Sequence, residues 1–320
     1  MRKMIEEVIV APLGNDTLNK LGDGARLTLP GQSLVFTTDS FVVQPPIFPG
    51  GDLGKLSVCG TINDLAVMGA QPKFLSLSLI LEEGLPLELL RRLVHSVAET
   101  AQAAGVQIVT GDTKVVPHGQ CDQIYVNTSG IGAYPMGHGL CADAIVPGDA
   151  LLVSGPIGDH AIAVLISRSD MPFETQVQSD CAPLGEMIGS VLKQHATVKW
   201  MRDPTRGGLA AALSELASGL SFGLLVEEPM IPVHASVKTV CELLGYDPVH
   251  LACEGRVLMV VEESGAEETL DTLRAHPLGR GAECIGRVTE EGAGIVRVLT
   301  ESGGVRRLHR PAGELLPRIC

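Results

Sequence analysis

The stretch from Cys59 to Pro72 constrains the fold more than any other part of this chain. Its apolar residues recur at helical spacing, which predicts a buried helix. Asn63 and Asp64 interrupt the apolar surface of that helix. An unpaired carboxylate in a protein interior is costly, so we expect Asp64 to face a cation, a hydrogen-bonding cluster or a cleft. The alternative is that Asn63 and Asp64 cap a helix that begins later in the chain.

The length of the chain predicts two domains. Its 320 residues exceed the size at which a single hydrophobic core keeps growing, because domains average about 150 residues. Glycine and proline residues, Pro147 and Gly148 among them, place the boundary near residue 146. We therefore expect an N-terminal domain over 1–145, a C-terminal domain over 146–310 and a flexible tail over 311–320, where two prolines oppose regular structure.

The composition indicates a compact globular protein and excludes several kinds of partner. Hydrophobic residues make up 45% of the chain and charged residues 19%, which excludes a disordered protein. Aromatic residues make up only 3% and the formal net charge is -13, so we expect no nucleic-acid partner and no membrane partner. A polyanionic ligand would need a metal ion at such an acidic surface.

Cysteine usage indicates a reducing compartment. No two of the eight cysteines lie within four residues of each other, so the chain contains no CxxC zinc or redox pair. Their density is far below that of disulfide scaffolds, and residues Met1 to Gly14 do not resemble a signal peptide. We expect free thiols and a cytoplasmic location.

Strand and helix patterns alternate along the chain, which favours the α/β (α+β) class. Period-two or short apolar runs predict strands at Leu34–Thr38, Leu75–Leu81, Val106–Thr110, Gln123–Tyr134, Ala150–Ser154, Gly223–Val226, Arg256–Val261 and Glu283–Val288. Helical spacing predicts further helices from Pro86 to Gly105, from Asp159 to Ser167, from Leu209 onward and from Ala266 to His276.

Four aspartates share one context, since each stands beside small or polar residues where a buried element is expected to meet a loop. They are Asp39, Asp64, Asp112 and Asp203. Four such acids can converge in a folded chain, and hard oxygen ligands without histidine or cysteine suit Mg2+. Because Mg2+ usually binds one or two carboxylates together with substrate phosphates, the pattern points to a nucleoside triphosphate.

Three further features are ambiguous when taken alone. Lys114 could neutralise a phosphate or activate a nucleophile, or it could be a solvated surface lysine. Glu254 could be a general base, or it could supply only the polarity of a turn. The turn Gly155–Gly158, between a strand and a helix, could hold a phosphate, although its spacing is not that of a Walker loop.

Several motifs together resemble the HypE family of hydrogenase maturation factors over almost the whole chain. These motifs are Thr38-Asp39-Ser40, Gly60 to Ala70, Gly111-Asp112-Thr113-Lys114, Asp203-Pro204-Thr205-Arg206-Gly207-Gly208 and Pro317-Arg318-Ile319-Cys320. That family belongs to a superfamily with aminoimidazole ribonucleotide synthetase, selenophosphate synthetase and thiamine-monophosphate kinase. The resemblance implies a two-domain PurM-like fold with a mixed sheet in the N-terminal ATP-binding domain. It also implies a homodimer through that domain, a C-terminal α/β domain and a flexible tail.

The resemblance implies a specific reaction. A HypF-like carbamoyltransferase would load the thiol of Cys320, and ATP with Mg2+ would then drive dehydration of the carboxamide to a thiocyanate. The cyanide would pass, through HypC/HypD-like partners, to the iron of a [NiFe] hydrogenase. The catalytic residues implied are Cys320, Glu254 and Lys114. The nucleotide contacts implied are Thr38, Asn63, Gly111, Asp112 and Thr113, and the metal and phosphate site would comprise Asp39, Asp64, Asp112 and Asp203.

One departure from the family and two rival interpretations stay open. The family usually carries a histidine and a glycine cluster near its start, whereas Met1 to Arg26 contains only isolated glycines and no histidine. That difference bears on ATP affinity and on closure over the nucleotide. The rivals are a sibling ATP-dependent synthetase or kinase, in which Cys320 is incidental, and a non-catalytic carrier that only presents Cys320 to partners.

Overall fold

The computed structural model describes residues 25–29, 32–134, 140–168, 176–194, 197–309 and 316–320. These ranges form two α/β units, each with its own mixed sheet, in agreement with the expected class. The unusual start of the chain, the glycines at 137 and 139 and Pro311 lie outside the described residues. Within these ranges, each helix is too short or too polar to cross a membrane.

The first unit is built on a sheet with five described strands. Its strands are β1 (Ala25–Leu29), β2 (Gln32–Phe41), β5 (Gln71–Glu82), β6 (Gln107–Val116) and β7 (Ile124–Ala133). They lie in the order β1-β2-β7-β5-β6, and all neighbours are antiparallel except β5 and β6. A short hairpin of β3 (Ile47–Phe48) and β4 (Gly51–Asp52) leads into helix α1 (Leu53–Val67), and α2 (Leu87–Ala103) follows β5.

The second unit carries a sheet of seven described strands in the order β14-β13-β10-β12-β8-β11-β9. The strands are β8 (Ala150–Val153), β9 (Val198–Arg202), β10 (Gly223–Glu227), β11 (Leu258–Val261), β12 (Glu283–Thr289), β13 (Val296–Leu299) and β14 (Val305–Leu308). The α-helices are α3 (Asp159–Arg168), α4 (Gly185–Gln194), α5 (Gly208–Ser218), α6 (Ala235–Leu244) and α7 (Ala266–Ala275). Short 3-10 helices occupy Ala142–Ala144, Glu228–Met230, Pro248–His250, Glu263–Gly265 and Pro277–Gly279.

Helix α1 lies at the junction of the two units, between the first sheet and α4. It starts where Asp52 accepts a hydrogen bond from the Lys55 amide at 3.0 Å. Every residue of α1 except Lys55 and Asp64 is buried, which confirms the predicted buried helix. Because the helix begins well before Asn63, the alternative in which Asn63 and Asp64 cap a later helix is wrong.

Glycines inside α1 let its neighbours approach closely. A Cβ atom on Gly54 would lie 2.2 Å from the Leu93 carbonyl oxygen of α2, and one on Gly60 would lie 2.7 Å from the Phe41 ring. Each glycine destabilises the helix by about 1 kcal/mol relative to alanine, but it allows close packing of α1 against α2 and β2.

Several predicted strands extend further than the sequence pattern indicates. Strand β2 continues through Phe41, so Asp39 lies within it and not at its end. Strand β6 continues to Val116, which places the motif Gly111–Lys114 in an edge strand instead of a loop. In both cases cross-strand pairing outweighs local turn residues. Strands β9, β13 and β14 and helix α6 were not predicted.

The side chain of Asn63 joins the two units. Its Nδ2 atom donates to the carbonyl oxygens of Ala182 at 3.1 Å and Glu254 at 3.2 Å. Its Oδ1 atom accepts from the Leu184 amide at 2.8 Å. Asn63 is only 1% exposed, so water cannot replace these bonds.

Replacement of Asn63 is therefore expected to destabilise the protein. In Asn63→Ala the Leu184 amide and two carbonyl groups lose their buried partner, which should lower the free energy of unfolding by about 2–4 kcal/mol. Urea denaturation measures the change, with Gln71→Ala, at an exposed position of β5, as the control. A loss no larger than that of the control would show that Asn63 does not hold the units together.

Candidate active site

Two of the four predicted aspartates are in contact. Asp39 on β2 and Asp64 on α1 are hydrogen-bonded to each other, and Thr37 Oγ1 donates to Asp64 Oδ2 at 2.9 Å. Burial raises the pKa of Asp39, while the bond to Asp64 and the charge of Arg206 act in the opposite direction. Two carboxyl groups can share a hydrogen bond only if one holds a proton. A cation could take the place of that proton.

The third aspartate follows β9 in the turn that leads to α5. Asp203 is buried, and its charge raises the pKa of Glu254. The turn depends on Gly208, which has a φ of +62° and whose Cβ would lie 2.5 Å from the Leu251 carbonyl oxygen. The Cys253 amide donates to the Pro204 carbonyl at 3.0 Å, which ties this turn to the segment that carries Glu254.

Glu254 is the most unusual group in the site. It is 2% exposed, and its Oε1 atom has no hydrogen-bond partner. Burial raises its pKa well above the ordinary range, and the neighbouring Cys181, Asp203, Asp180 and Asp39 add to the effect. A carboxyl group with a raised pKa is a stronger base when ionised, which is the property that a general base requires.

The backbone around Glu254 is fixed by Asp180, a residue that the sequence analysis missed. Asp180 accepts hydrogen bonds from the amides of Glu254 and Gly255, each at 3.2 Å. A Cβ atom on Gly255 would lie 1.8 Å from the Asp180 carbonyl oxygen, so only glycine fits. Arg256 pairs with Asp180 at 3.6 Å, and its Nε atom donates to the Pro156 carbonyl at 2.7 Å. The turn after β8 therefore holds Arg256.

The structure places Cys320 beside Arg206, which is linked to the acids. Arg206 Nη2 lies 3.5 Å from Cys320 Sγ, and the same arginine acts electrostatically on Asp39. Residues 316–320 lie against the body of the protein, with the Ile319 side chain buried in the core. Flexibility of the tail stays a prediction, and this docked position shows one place that Cys320 occupies.

The motif on β6 does not join this cluster within one chain. Asp39 pairs with Thr128 on β7, Thr128 with Leu77 on β5, and Leu77 with Gly111 on β6. Three strand spacings separate Gly111 from Asp39, about 14 Å. Alternation along the strand puts Gly111 and Thr113 on one face and Asp112 and Lys114 on the other, and all four residues are exposed.

Thr38 and Asn63 are also occupied by other contacts. Thr38 lies on the exposed face of the first sheet, where its Oγ1 accepts from Ser129 Oγ at 2.9 Å and from Asn127 Nδ2 at 3.3 Å. Asn63 would have to release backbone groups of the second unit to bind a ligand. Direct nucleotide contact by either residue stays a prediction, and for Asn63 the geometry favours positioning of Glu254.

Among the described residues, no group of three or more His, Cys, Asp or Glu side chains is arranged to hold a metal ion by itself. The site instead offers a carboxylate pair, Asp39 and Asp64, with Asp203 nearby through Glu254. That arrangement fits a cation such as Mg2+, which keeps water and substrate oxygens as further ligands.

Comparison with known proteins agrees with this fold and site. The N-terminal domain of the AIR synthase related proteins matches residues 21–134, and the C-terminal domain of the same family matches residues 146–299. The chain therefore belongs to the AIR synthase related proteins, a class defined by these two domains.

Full-length relatives narrow the assignment. A Rhodobacter capsulatus protein named carbamoyl dehydratase HypE is 48% identical over all of this chain and 95% of its own length. A crystal structure of HypE in complex with ATP has a TM-score of 0.87 and 42% identity, covering 100% of this chain and 96% of that one. A crystal structure of a HypE-HypF complex has a TM-score of 0.89 and 44% identity, covering 96% and 99%. Within its class, the chain belongs to the HypE family.

Proposed function

We propose that this protein is an ATP-dependent carbamoyl dehydratase that converts a carboxamide on the Cys320 thiol into a thiocyanate. The observation that carries the proposal is the buried Glu254 carboxyl group, whose Oε1 atom has no hydrogen-bond partner and which lies among acids that include Asp39. Arg206, which acts electrostatically on Asp39, lies 3.5 Å from the Cys320 sulfur. A group that is only structural would be expected to have its hydrogen bonds satisfied. ATP as the substrate is supported by the named ATP complex of a relative.

The first chemical step activates the amide oxygen. In the group Cys320–S–C(=O)–NH2 this oxygen is a poor leaving group. Its attack on the γ-phosphorus of ATP forms an oxygen–phosphorus bond and releases ADP, and the nitrogen gives up one proton to water. The carboxamide becomes an imidate phosphate, from which inorganic phosphate can depart. Arg206, which contacts Cys320 Sγ at 3.5 Å, is suited to hold the oxygens of the phosphoryl group.

The second step forms the nitrile. Glu254 removes the remaining proton from the imidate nitrogen, the carbon–nitrogen triple bond forms, and the carbon–oxygen bond breaks as phosphate leaves. The amide oxygen thus ends in phosphate, and the thiol of Cys320 carries –C≡N. The raised pKa of Glu254 favours transfer of this proton, and its fixed backbone limits the orientations from which it can act.

We further propose that Asp39, Asp64 and Asp203 hold Mg2+ when ATP binds. A bound Mg2+ would neutralise negative charge on the phosphates during transfer. The hydrogen bond between Asp39 and Asp64 supports this role, because two half-buried acids in contact favour an added positive charge.

The partners and the location follow from the same proposal. A HypF-like carbamoyltransferase would supply the carboxamide, in keeping with the HypE-HypF complex of a relative. HypC/HypD-like proteins would accept the cyanide for the iron of a [NiFe] hydrogenase. The protein would work in the cytoplasm, where its free thiols stay reduced.

We expect Asp64→Asn to retain its fold and lose ATP turnover. The change is nearly isosteric, and the new amide can keep hydrogen bonds with Asp39 and Thr37, but one anionic ligand is gone. Turnover of carbamoylated protein should fall by more than about a hundredfold, because even a partner behind a metal ligand contributes up to that much. Phosphate release measures the loss, with Asp271→Asn on the exposed face of α7 as the control. Wild-type turnover would place Asp64 outside the site.

We expect Cys320→Ala to fold and bind ATP but to form no product. After incubation with the carbamoyltransferase, its substrate and ATP, mass spectrometry of wild-type protein should show one carboxamide gained on the peptide that contains Cys320. The same peptide should then lose the mass of one water. Transfer of the same modification to another cysteine in the variant would contradict the role of Cys320. ATP turnover by the variant without any thiol modification would favour a sibling kinase or synthetase.

We propose that the protein is a homodimer through the exposed face of the first sheet. Phe36, Ile131 and Phe74 stand side by side on three neighbouring strands of that face, and each is about 40% exposed. A row of exposed apolar residues favours a protein partner. The same face carries Asp112 and Lys114, so a second copy could bring them to an active site that lacks them.

Sedimentation should therefore give twice the chain mass of 33.6 kDa at micromolar concentration. Phe74→Asp should shift the protein to monomer, because it places a charge in the apolar row. Equal amounts of Lys114→Ala and Glu254→Gln, mixed and allowed to exchange, should recover about a quarter of wild-type activity if the two residues act from different copies. A monomeric wild-type protein would contradict the homodimer. A mixture that exchanges subunits but recovers no activity would contradict a site shared between two copies.

A further inference from the structure

The backbone of the docked tail is bound at consecutive carbonyl groups, in addition to an ion pair between Arg318 and Asp122 at 2.9 Å. Arg168, at the end of α3, donates from Nη1 to the Pro317 carbonyl at 2.7 Å and from Nη2 to the Arg318 carbonyl. The Gln44 amide donates to the same Arg318 carbonyl at 3.2 Å. His160 Nε2 lies 2.7 Å from the Ile319 carbonyl oxygen. Three consecutive carbonyl groups are thus bound by two side chains of α3 and one backbone amide.

His160 is oriented for this contact by a second hydrogen bond. Ser179 Oγ accepts from the Cys181 amide at 3.0 Å and lies 2.8 Å from His160 Nδ1, so its hydroxyl proton is available to Nδ1. The network therefore assigns the remaining ring proton to Nε2, where it can be donated to Ile319. The Phe48 ring packs edge-to-face on the imidazole, with the ring centres 5.3 Å apart.

The imidazole of His160 is fully buried, which affects its protonation state as well as its orientation. Burial lowers the pKa of His160, against the influence of Asp180, so the ring is neutral and carries a single proton. A neutral ring with Nδ1 occupied can only donate from Nε2. His160 is therefore oriented as a hydrogen-bond donor to the tail.

We propose that His160 and Arg168 form a docking site for the backbone of Pro317–Ile319 that presents Cys320 to the active site whatever group its sulfur carries. The inference rests on the proposed function, since it concerns the step that follows carbamoylation. The hydrogen bonds of His160 and Arg168 act on the carbonyl groups of Pro317 to Ile319 and not on the Cys320 sulfur, and the buried Ile319 side chain anchors the segment. Thiol, carboxamide and thiocyanate forms of the tail can all use the same bonds.

Docking of this kind has opposite consequences for the two half-reactions. Dehydration needs the tail in this position, whereas carbamoylation needs Cys320 in the active site of another protein. The free energy of docking therefore favours the first reaction and opposes the second. His160 and Arg168 are positioning residues, and a purely structural role would not predict effects of opposite sign.

Variants of the body test this without altering the peptide that the carbamoyltransferase receives. His160→Phe keeps an aromatic ring against Phe48 but removes the donor, and His160→Asn carries its amide near the position of Nδ1. We expect both variants to slow dehydration of pre-carbamoylated protein by at least about tenfold, the effect of one lost hydrogen bond in a buried site. Carbamoylation should proceed at the wild-type rate or faster. His160→Gln, whose amide can reach the position of Nε2, should restore dehydration.

Arg168→Ala provides an independent measurement at a half-buried position that is less critical for folding. It should show the same pattern, with slower dehydration and carbamoylation that is not slowed. Arg91→Ala removes a guanidinium from the exposed face of α2 and should change neither rate. Alkylation of Cys320 by iodoacetamide in the isolated protein, followed by mass spectrometry, should be faster in His160→Phe and Arg168→Ala than in wild-type protein.

Wild-type dehydration and alkylation rates in both His160→Phe and Arg168→Ala would overturn the docking site. Equal slowing of both half-reactions in the well-folded Arg168→Ala variant would overturn it as well. If wild-type protein accepts no carboxamide, the proposed function fails, but the alkylation rates still decide whether these residues hold the tail.

Discussion

The buried amide of Asn63 is the interaction on which the rest of the site depends. Its three hydrogen bonds fix helix α1 of the first unit against the segments 182–184 and Glu254 of the second. Asp64, the next residue, is hydrogen-bonded to Asp39, while the Asn63 side chain binds the carbonyl group of Glu254. An amide that binds backbone groups thus helps to set the separation between the carboxylate pair and Glu254. The geometry of the candidate site and the packing of the two units therefore depend on the same interaction.

The acids of this site repel one another, so the site is stable only if other groups offset that repulsion. Asp39, Asp64, Asp180, Asp203 and Glu254 collect in a largely buried region of a chain whose net charge is already negative. Three kinds of interaction reduce the free-energy cost of bringing these acids together. Asp39 and Asp64 are hydrogen-bonded to each other, backbone amides donate hydrogen bonds to Asp180, and the guanidinium groups of Arg206 and Arg256 supply positive charge. Burial raises the pKa of Glu254, whose Oε1 atom has no hydrogen-bond partner, and the neighbouring acids add to this effect.

Residue type and local pattern were sufficient to predict the α/β class and the central helix. They also singled out Asp39, Asp64, Asp203 and Glu254, which the structure brings close enough to act on one another electrostatically, while their catalytic and metal-binding roles stay predictions. Residue type and local pattern were insufficient wherever function depends on pairing between distant segments. Strand register across β7 and β5, which separates Asp112 and Lys114 from Asp39, is not visible in any single stretch of sequence. The contact of His160 with Ile319 joins residues far apart in the chain, and Asp180 lies in a segment without periodicity. A signal for Asp180 was present at Arg256, because a buried arginine needs an acidic partner.

Gly255 has a consequence for how the reactivity of this protein can evolve. No side chain fits at that position, because its Cβ would collide with the Asp180 carbonyl group. The turn that carries Glu254 is therefore closed to substitution at position 255, and the pKa of Glu254 can be adjusted from surrounding elements. Cys181, Asp203 and Asp39, which come from three different parts of the chain, are the positions where such adjustment is available. Relatives of this protein should accordingly keep the glycine of this turn, and their substitutions should accumulate at the residues that surround Glu254.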